Sequence, residues 1–158
     1  MKLGPFARRR QQRRDDRELG HHLWRQAHDR FHRSLQRYWQ IVDPDEEYAR
    51  NVQGFVSAEE RNGLINAGNI LADLLPRVRA LCVAARRASP DQQSLDVPGE
   101  FQDLHRWISR AANDLAAVAQ AAAMFRRGQT DVYTVGRRAQ KVIEDIEAAE
   151  AALPDLTS

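Results

Sequence analysis

The sequence predicts an all-α protein: a four-helix up-down antiparallel bundle with one short extra helix between the first and second long helices. Three observations predict it. Phe101, Leu104, Ile108, Ala111, Leu115, Val118, Ala122 and Phe125 follow one another at spacings of three and four, which lays one apolar stripe along about seven turns of helix. Three further segments carry stripes of the same period. Between the third and fourth the gap is so short that these two helices must run antiparallel.

The first long helix is expected over roughly 12–42, with Trp24, His28, Phe31, Leu35, Tyr38 and Val42 as its stripe and His21 extending it backward. Asp43 and Pro44 stop it. Together with Glu46 they also cap the short extra helix, which carries Tyr48, Val52 and Phe55. Ser57-Ala58-Glu59-Glu60 is a cleaner capping box. It opens the second long helix, whose stripe is Leu64, Ala67, Leu71, Leu74, Val78, Leu81 and Ala85, widened by Ile70, Leu75 and Cys82. Pro76 falls opposite that stripe and predicts a kink rather than a break.

Residues 89–98 read as a polar loop with a proline near each end. The third helix starts near Gly99, and Gly128 closes it in the left-handed conformation that a residue without Cβ accepts. Thr130 is the expected cap of the fourth helix, with Asp131 favouring its positive end. Val132, Val135, Ala139, Val142, Ile146, Ala149 and Leu153 form its stripe before Pro154. The expected organisation is a basic tail at 1–14, one bundle domain at 15–154 and a short tail at 155–158.

Length and composition agree with one domain. A chain of 158 residues can bury a real core, and 42% apolar with 29% charged residues fits a globular protein. Nothing approaches the run of about 18 apolar residues that a membrane span needs. MKLGPFARRRQQRR has no apolar run behind its charges and is not a secretory signal; a cytoplasmic protein is expected. Cys82 is the single cysteine, set among Val78, Leu81 and Leu74, and reads as a small buried hydrophobe.

No nucleotide-binding, zinc or catalytic motif stands out, so the expectation is a non-enzymatic module acting by protein interaction or as a homo-oligomer, with no resident cofactor. Three residue sets are candidates for a working site. The first is histidine-rich: His21, His28 and His32 on the first helix, Glu18 one turn before His21, and His105 on the third. Bundle interiors bind divalent metals through such side chains, and Glu18-x-x-His21 matches one element of a di-iron bundle. The second such element and two inward glutamates are missing. His21 and His28 are also about 10 Å apart along the axis, too far to share an ion. The plainer reading is a polar end to the core.

The second set is the run Arg8, Arg9, Arg10, Arg13 and Arg14. It suits an anionic partner, nucleic acid or a membrane surface, with Leu3 and Phe6 as shallow anchors. Residues 1–42 carry a net charge of +7 in a chain of net +2. Against this, Asp15, Asp16 and Glu18 follow at once and offset the field. The third set, Trp39, Trp107, Ala117 and Met124, flanks the stripes and suits another helix, from a second copy or another protein.

Overall fold

The computed structural model describes residues 3–44, 57–89 and 96–155. Among these the chain is all-helical, with no strand: α1 (Pro5–Leu19), α2 (Leu23–Val42), α3 (Ala58–Ala88), α4 (Gln102–Arg126) and α5 (Val132–Ala152), with one 3₁₀ turn at Gly99–Phe101 leading into α4. The segment expected to hold the short extra helix lies outside the described residues.

Most stripe positions become the core, though Ala67 and Leu153 are only half-buried. Seven of the eight positions of the α4 stripe are buried, and Phe125 at its end packs against the core. Between them Ala112, Ala119 and Ala121 are buried as well. Small side chains on two sides of α4 let both neighbours come close. Among the described residues the α4–α5 seam is the most extensive and α2–α4 the next; α3 closes against α2 and α5. Trp24 of α2 meets Phe101 at one end of the α2–α4 seam, and the Arg126 guanidinium reaches the Ile41 carbonyl at the other. These two helices therefore lie side by side in the same direction. Tyr38 donates from a buried hydroxyl to the Leu64 carbonyl at 2.6 Å, which joins the end of α2 to the start of α3.

The helix ends follow the chemistry of their residues. Ser57 accepts from the Glu60 amide at 3.1 Å and donates to the Glu60 carboxylate at 3.0 Å. Gly128, at φ 74°, closes α4 with amide bonds from Gly128 to Phe125 and from Gln129 to Met124. The cap of α5 is Asp131 rather than Thr130: its carboxylate accepts from the amide and the hydroxyl of Thr134, both at 2.8 Å. A carboxylate satisfies two donors there and also meets the positive end of the helix dipole, so the helix begins one residue later.

Four further expectations are corrected. The first long helix is broken in two at Gly20–His22, so His21 leaves the stripe and is exposed, and Leu19 takes the buried place. The basic run, expected as a tail at 1–14, is exposed but lies within α1 together with the acids that follow. Ile70 is 51% exposed and does not widen the α3 stripe; Gly68 is buried there instead. Val132 at the start of α5 also faces outward. Pro76 is exposed and α3 runs through it.

Gly68 is buried because Trp39 and Tyr38 of α2 lie against it. A Cβ there would sit 2.6 Å from the Trp39 ring and 2.9 Å from Tyr38, whereas Gly136 in α5 has nothing within 4 Å. Replacing an exposed helical glycine by alanine gains up to about 1 kcal/mol, while overpacking costs roughly 1–3 kcal/mol. Thermal melts should separate the two. Gly136→Ala raises Tm, and Gly68→Val lowers it by several degrees. Equal rises at both positions would refute the close approach of α2 to α3.

Candidate functional site

The least expected feature of the chain is how α1 is held. Only Leu19 of α1 is buried, so apolar contact does little to fix it. Its C-terminal half is clamped by arginines from α2 and α3. Arg79 of α3, itself 16% exposed at the side chain, donates to Asp15 at 2.6 Å and to Glu18 at 2.9 Å. Arg25 of α2 donates to Asp16 at 2.8 Å and to Asp29 at 2.9 Å. Arg86 of α3 reaches the last turn and donates to the Arg17 carbonyl at 2.8 Å, satisfying a carbonyl that the helix end leaves open. Its guanidinium lies over Gly20, where φ is 70° and a Cβ would come within 2.6 Å of the Arg86 Nε. Only glycine suits that turn, because the conformation is left-handed and the space is taken.

The electrostatics match the geometry. The hydrogen bonds from Arg79 and then Arg14 hold the Glu18 carboxyl below its usual range. Burial opposes ionisation of Asp29, but His28 and Arg25 outweigh it and lower its pKa.

With its acids turned inward, α1 leaves its arginines outside. Arg14 is paired with Glu18 at 3.1 Å, and Arg8 bonds the Leu3 carbonyl at 3.0 Å. The side chains of Arg9, Arg10, Arg13 and Arg17 are exposed and have no partner among the described residues. Phe6, 77% exposed, and Leu3, 50% exposed, lie at the same end. Composition suggested that Asp15, Asp16 and Glu18 offset the arginines; the fold gives Asp15 to Arg79 and Asp16 to Arg25, and Arg79 shares Glu18 with Arg14. Arg17, near the end of the helix, belongs to the exposed set.

The histidine set is not brought together. His28 is buried, with Nδ1 at 2.9 Å from Asp29. Burial lowers its pKa, and the Asp29 contact only partly offsets this. His32 lies one turn on, its ring centroid 6.1 Å from that of His28. His105 packs edge-on against Trp24 at 5.7 Å. His21 points to Asp16 at 3.8 Å, outside the bundle, and Glu18 belongs to Arg79. Among the described residues no group of three or more His, Cys, Asp or Glu side chains is placed to hold a metal ion. Cys82 is fully buried, and burial pushes its thiol up to about 12, so it packs as a hydrophobe.

The flanking residues pack largely on their own chain. Trp39 covers Gly68, Trp107 is half-buried beneath Arg110 at 5.3 Å, and the Ala117 carbonyl accepts from Arg138 at 3.3 Å. Met124 is half-buried near the end of α4. An open hollow of about 910 Å³ lies over the start of α4. Two of its cations are engaged: Arg106 pairs with Asp103 and Arg110 covers Trp107.

One carboxyl pair, Asp145 buried and Asp114 half-buried, lies beside the stripes. Asp145 of α5 is 3% exposed, and the Asp114 carboxyl of α4 lies within hydrogen-bonding reach. One oxygen of each is buried without a hydrogen-bond partner among the described residues. Burial, and then Asp114, push the Asp145 carboxyl up to about 7, while Arg110 and Lys141 act in the other direction. The pair holds a proton at a pH where an exposed carboxyl has lost it. Sequence reasoning missed it because the two aspartates sit beside their stripes rather than on them.

Comparison with known proteins adds no relative: no family model matches the chain, and no curated protein or solved structure is similar to it.

Proposed function

We propose that this protein is a non-enzymatic helical module that works by binding, and that its working surface is the arginine face of α1, directed at an anionic partner. In this reading α2 to α5 form an up-down four-helix bundle, and α1 is an arm laid against one end of it. A single observation carries the proposal. Every carboxylate of α1 is engaged by an arginine, two of them only by arginines of the bundle, so the exposed arginines keep an uncompensated positive field.

The alternative of a self-associating face has less support. Besides Leu3 and Phe6, the exposed large apolar residues among the described residues are Ile70, Val132 and Tyr133, dispersed over α3 and the start of α5. Single exposed hydrophobes are ordinary on a protein surface.

Retention on an immobilised sulfated polyanion tests the reading. The wild-type chain should bind at low salt and release as salt rises. Replacing Arg9, Arg10, Arg13 and Arg17 together by Gln should lower the release salt sharply. Replacing four arginines exposed elsewhere, Arg33, Arg37, Arg87 and Arg127, by Gln removes the same charge and should change it much less. Equal losses in both variants would show that only net charge matters, and the assignment to α1 would fall.

A further inference from the structure

We infer that the anionic partner of α1 is the surface of a lipid membrane carrying acidic headgroups, with Phe6 entering the interface beside the arginines. The inference rests on the reading of α1 as the working surface and adds the identity of what it meets.

At 100° per residue, Phe6, Arg9, Arg10, Arg13 and Arg17 project within an arc of about 100°. Asp15 and Glu18 project to the far side, where Arg79 holds them. Asp16, at the border of the arc, is turned away by Arg25. The arc is therefore cationic with one large aromatic, and it lies on the half of the helix that the bundle leaves free. From Pro5 to Arg14 only Ala7 is even half-buried.

That combination discriminates between anions. A nucleic acid duplex would satisfy the guanidinium groups and leave Phe6 in water. An acidic lipid surface takes both: the guanidinium groups reach the headgroups while their stems and the Phe6 ring lie at the acyl boundary. Leu3, just before the helix and half exposed, extends the apolar end of the arc. Attachment of this kind lies on the membrane and does not cross it. No helix among the described residues is long and apolar enough to do so.

The test uses the full chain and three probes: vesicles of phosphatidylcholine, the same vesicles with about 30% phosphatidylserine, and a short DNA duplex. Cosedimentation reads vesicle binding and fluorescence anisotropy reads the duplex. Circular dichroism checks that Phe6→Ser and the combined Arg9, Arg10, Arg13 and Arg17 to Gln variant remain folded, as expected for exposed positions. The expected result is binding to the acidic vesicles only, weakened roughly tenfold or more by the arginine variant and about threefold or more by Phe6→Ser. Duplex binding, or acidic-vesicle binding that ignores Phe6→Ser, overturns the lipid assignment and leaves the anionic reading standing. Binding to neither the acidic vesicles nor the duplex overturns both.

Discussion

Asp145→Asn is expected to stabilise the protein above neutral pH and to leave it nearly unchanged near pH 4. In the folded state the Asp145 pKa is raised to about 7 by burial and by Asp114, against about 3.9 in the unfolded chain. The folded protein therefore holds a proton that the unfolded chain releases. This group's favourable contribution is complete below the unfolded value and is lost as pH rises through the folded one. At about 1.4 kcal/mol per unit, the loss across that window is on the order of a few kcal/mol. In a chain of this size each kcal/mol moves Tm by roughly 2–4 °C. Asparagine keeps the shape, cannot ionise, and can donate to Asp114. Melts from pH 4 to 8 should show the variant gaining on the wild type steadily and exceeding it by about 5 °C or more at pH 8. Parallel curves would mean that the pair does not share a proton. Other acids, Glu18, Asp29 and Glu150, have lowered pKa values and lose stability toward acid. Subtracting the two curves removes their contribution.

Arg79→Met should release α1 while sparing the rest. The substitution keeps an unbranched side chain but leaves Asp15 without its arginine and Glu18 with Arg14 alone. Removing one partner of a poorly hydrated ion pair is costly because the other charge is stranded. Arg25 and Arg86 still hold Asp16 and the last turn, but apolar contact adds little, since the only buried side chain of α1 is Leu19. Amide exchange over 5–19 should accelerate roughly tenfold or more, with the slowest amides of α4 little affected. Limited proteolysis should cut faster near Gly20. Uniform acceleration across all helices would show that α1 is a structural part of the bundle rather than an arm.

The core of the fold was legible in the sequence, and the arrangement of charges was not. Helical burial repeats at a fixed period, so Leu104, Ile108 and Leu115 announce their inward face from spacing alone. The break at Gly20 was hidden because Leu19 and Trp24 keep nearly the same period across it. What revealed the break was a positive φ with Arg86 laid against it, a contact between residues far apart in sequence. The same holds for Arg79 and Asp15, and for Asp114 and Asp145. Pairing between helices depends on rotation and register, and a single sequence does not encode those locally. The exposed arginines were visible as letters, but not that their neighbouring acids were already taken.

The alanines of α4 have a consequence for how the chain can vary. Ala111, Ala112, Ala119, Ala121 and Ala122 are each at most 2% exposed, and at such positions added methylene groups force neighbours apart. The outer arc of α1 meets no such constraint, since its side chains touch only water. Drift in this lineage would then run unevenly. The middle of α4 would change little and only toward glycine or serine, while the outer arc of α1 would alter freely except where its partner restrains it. Positions on that arc that nevertheless stay basic through such drift would be marked by use rather than by packing.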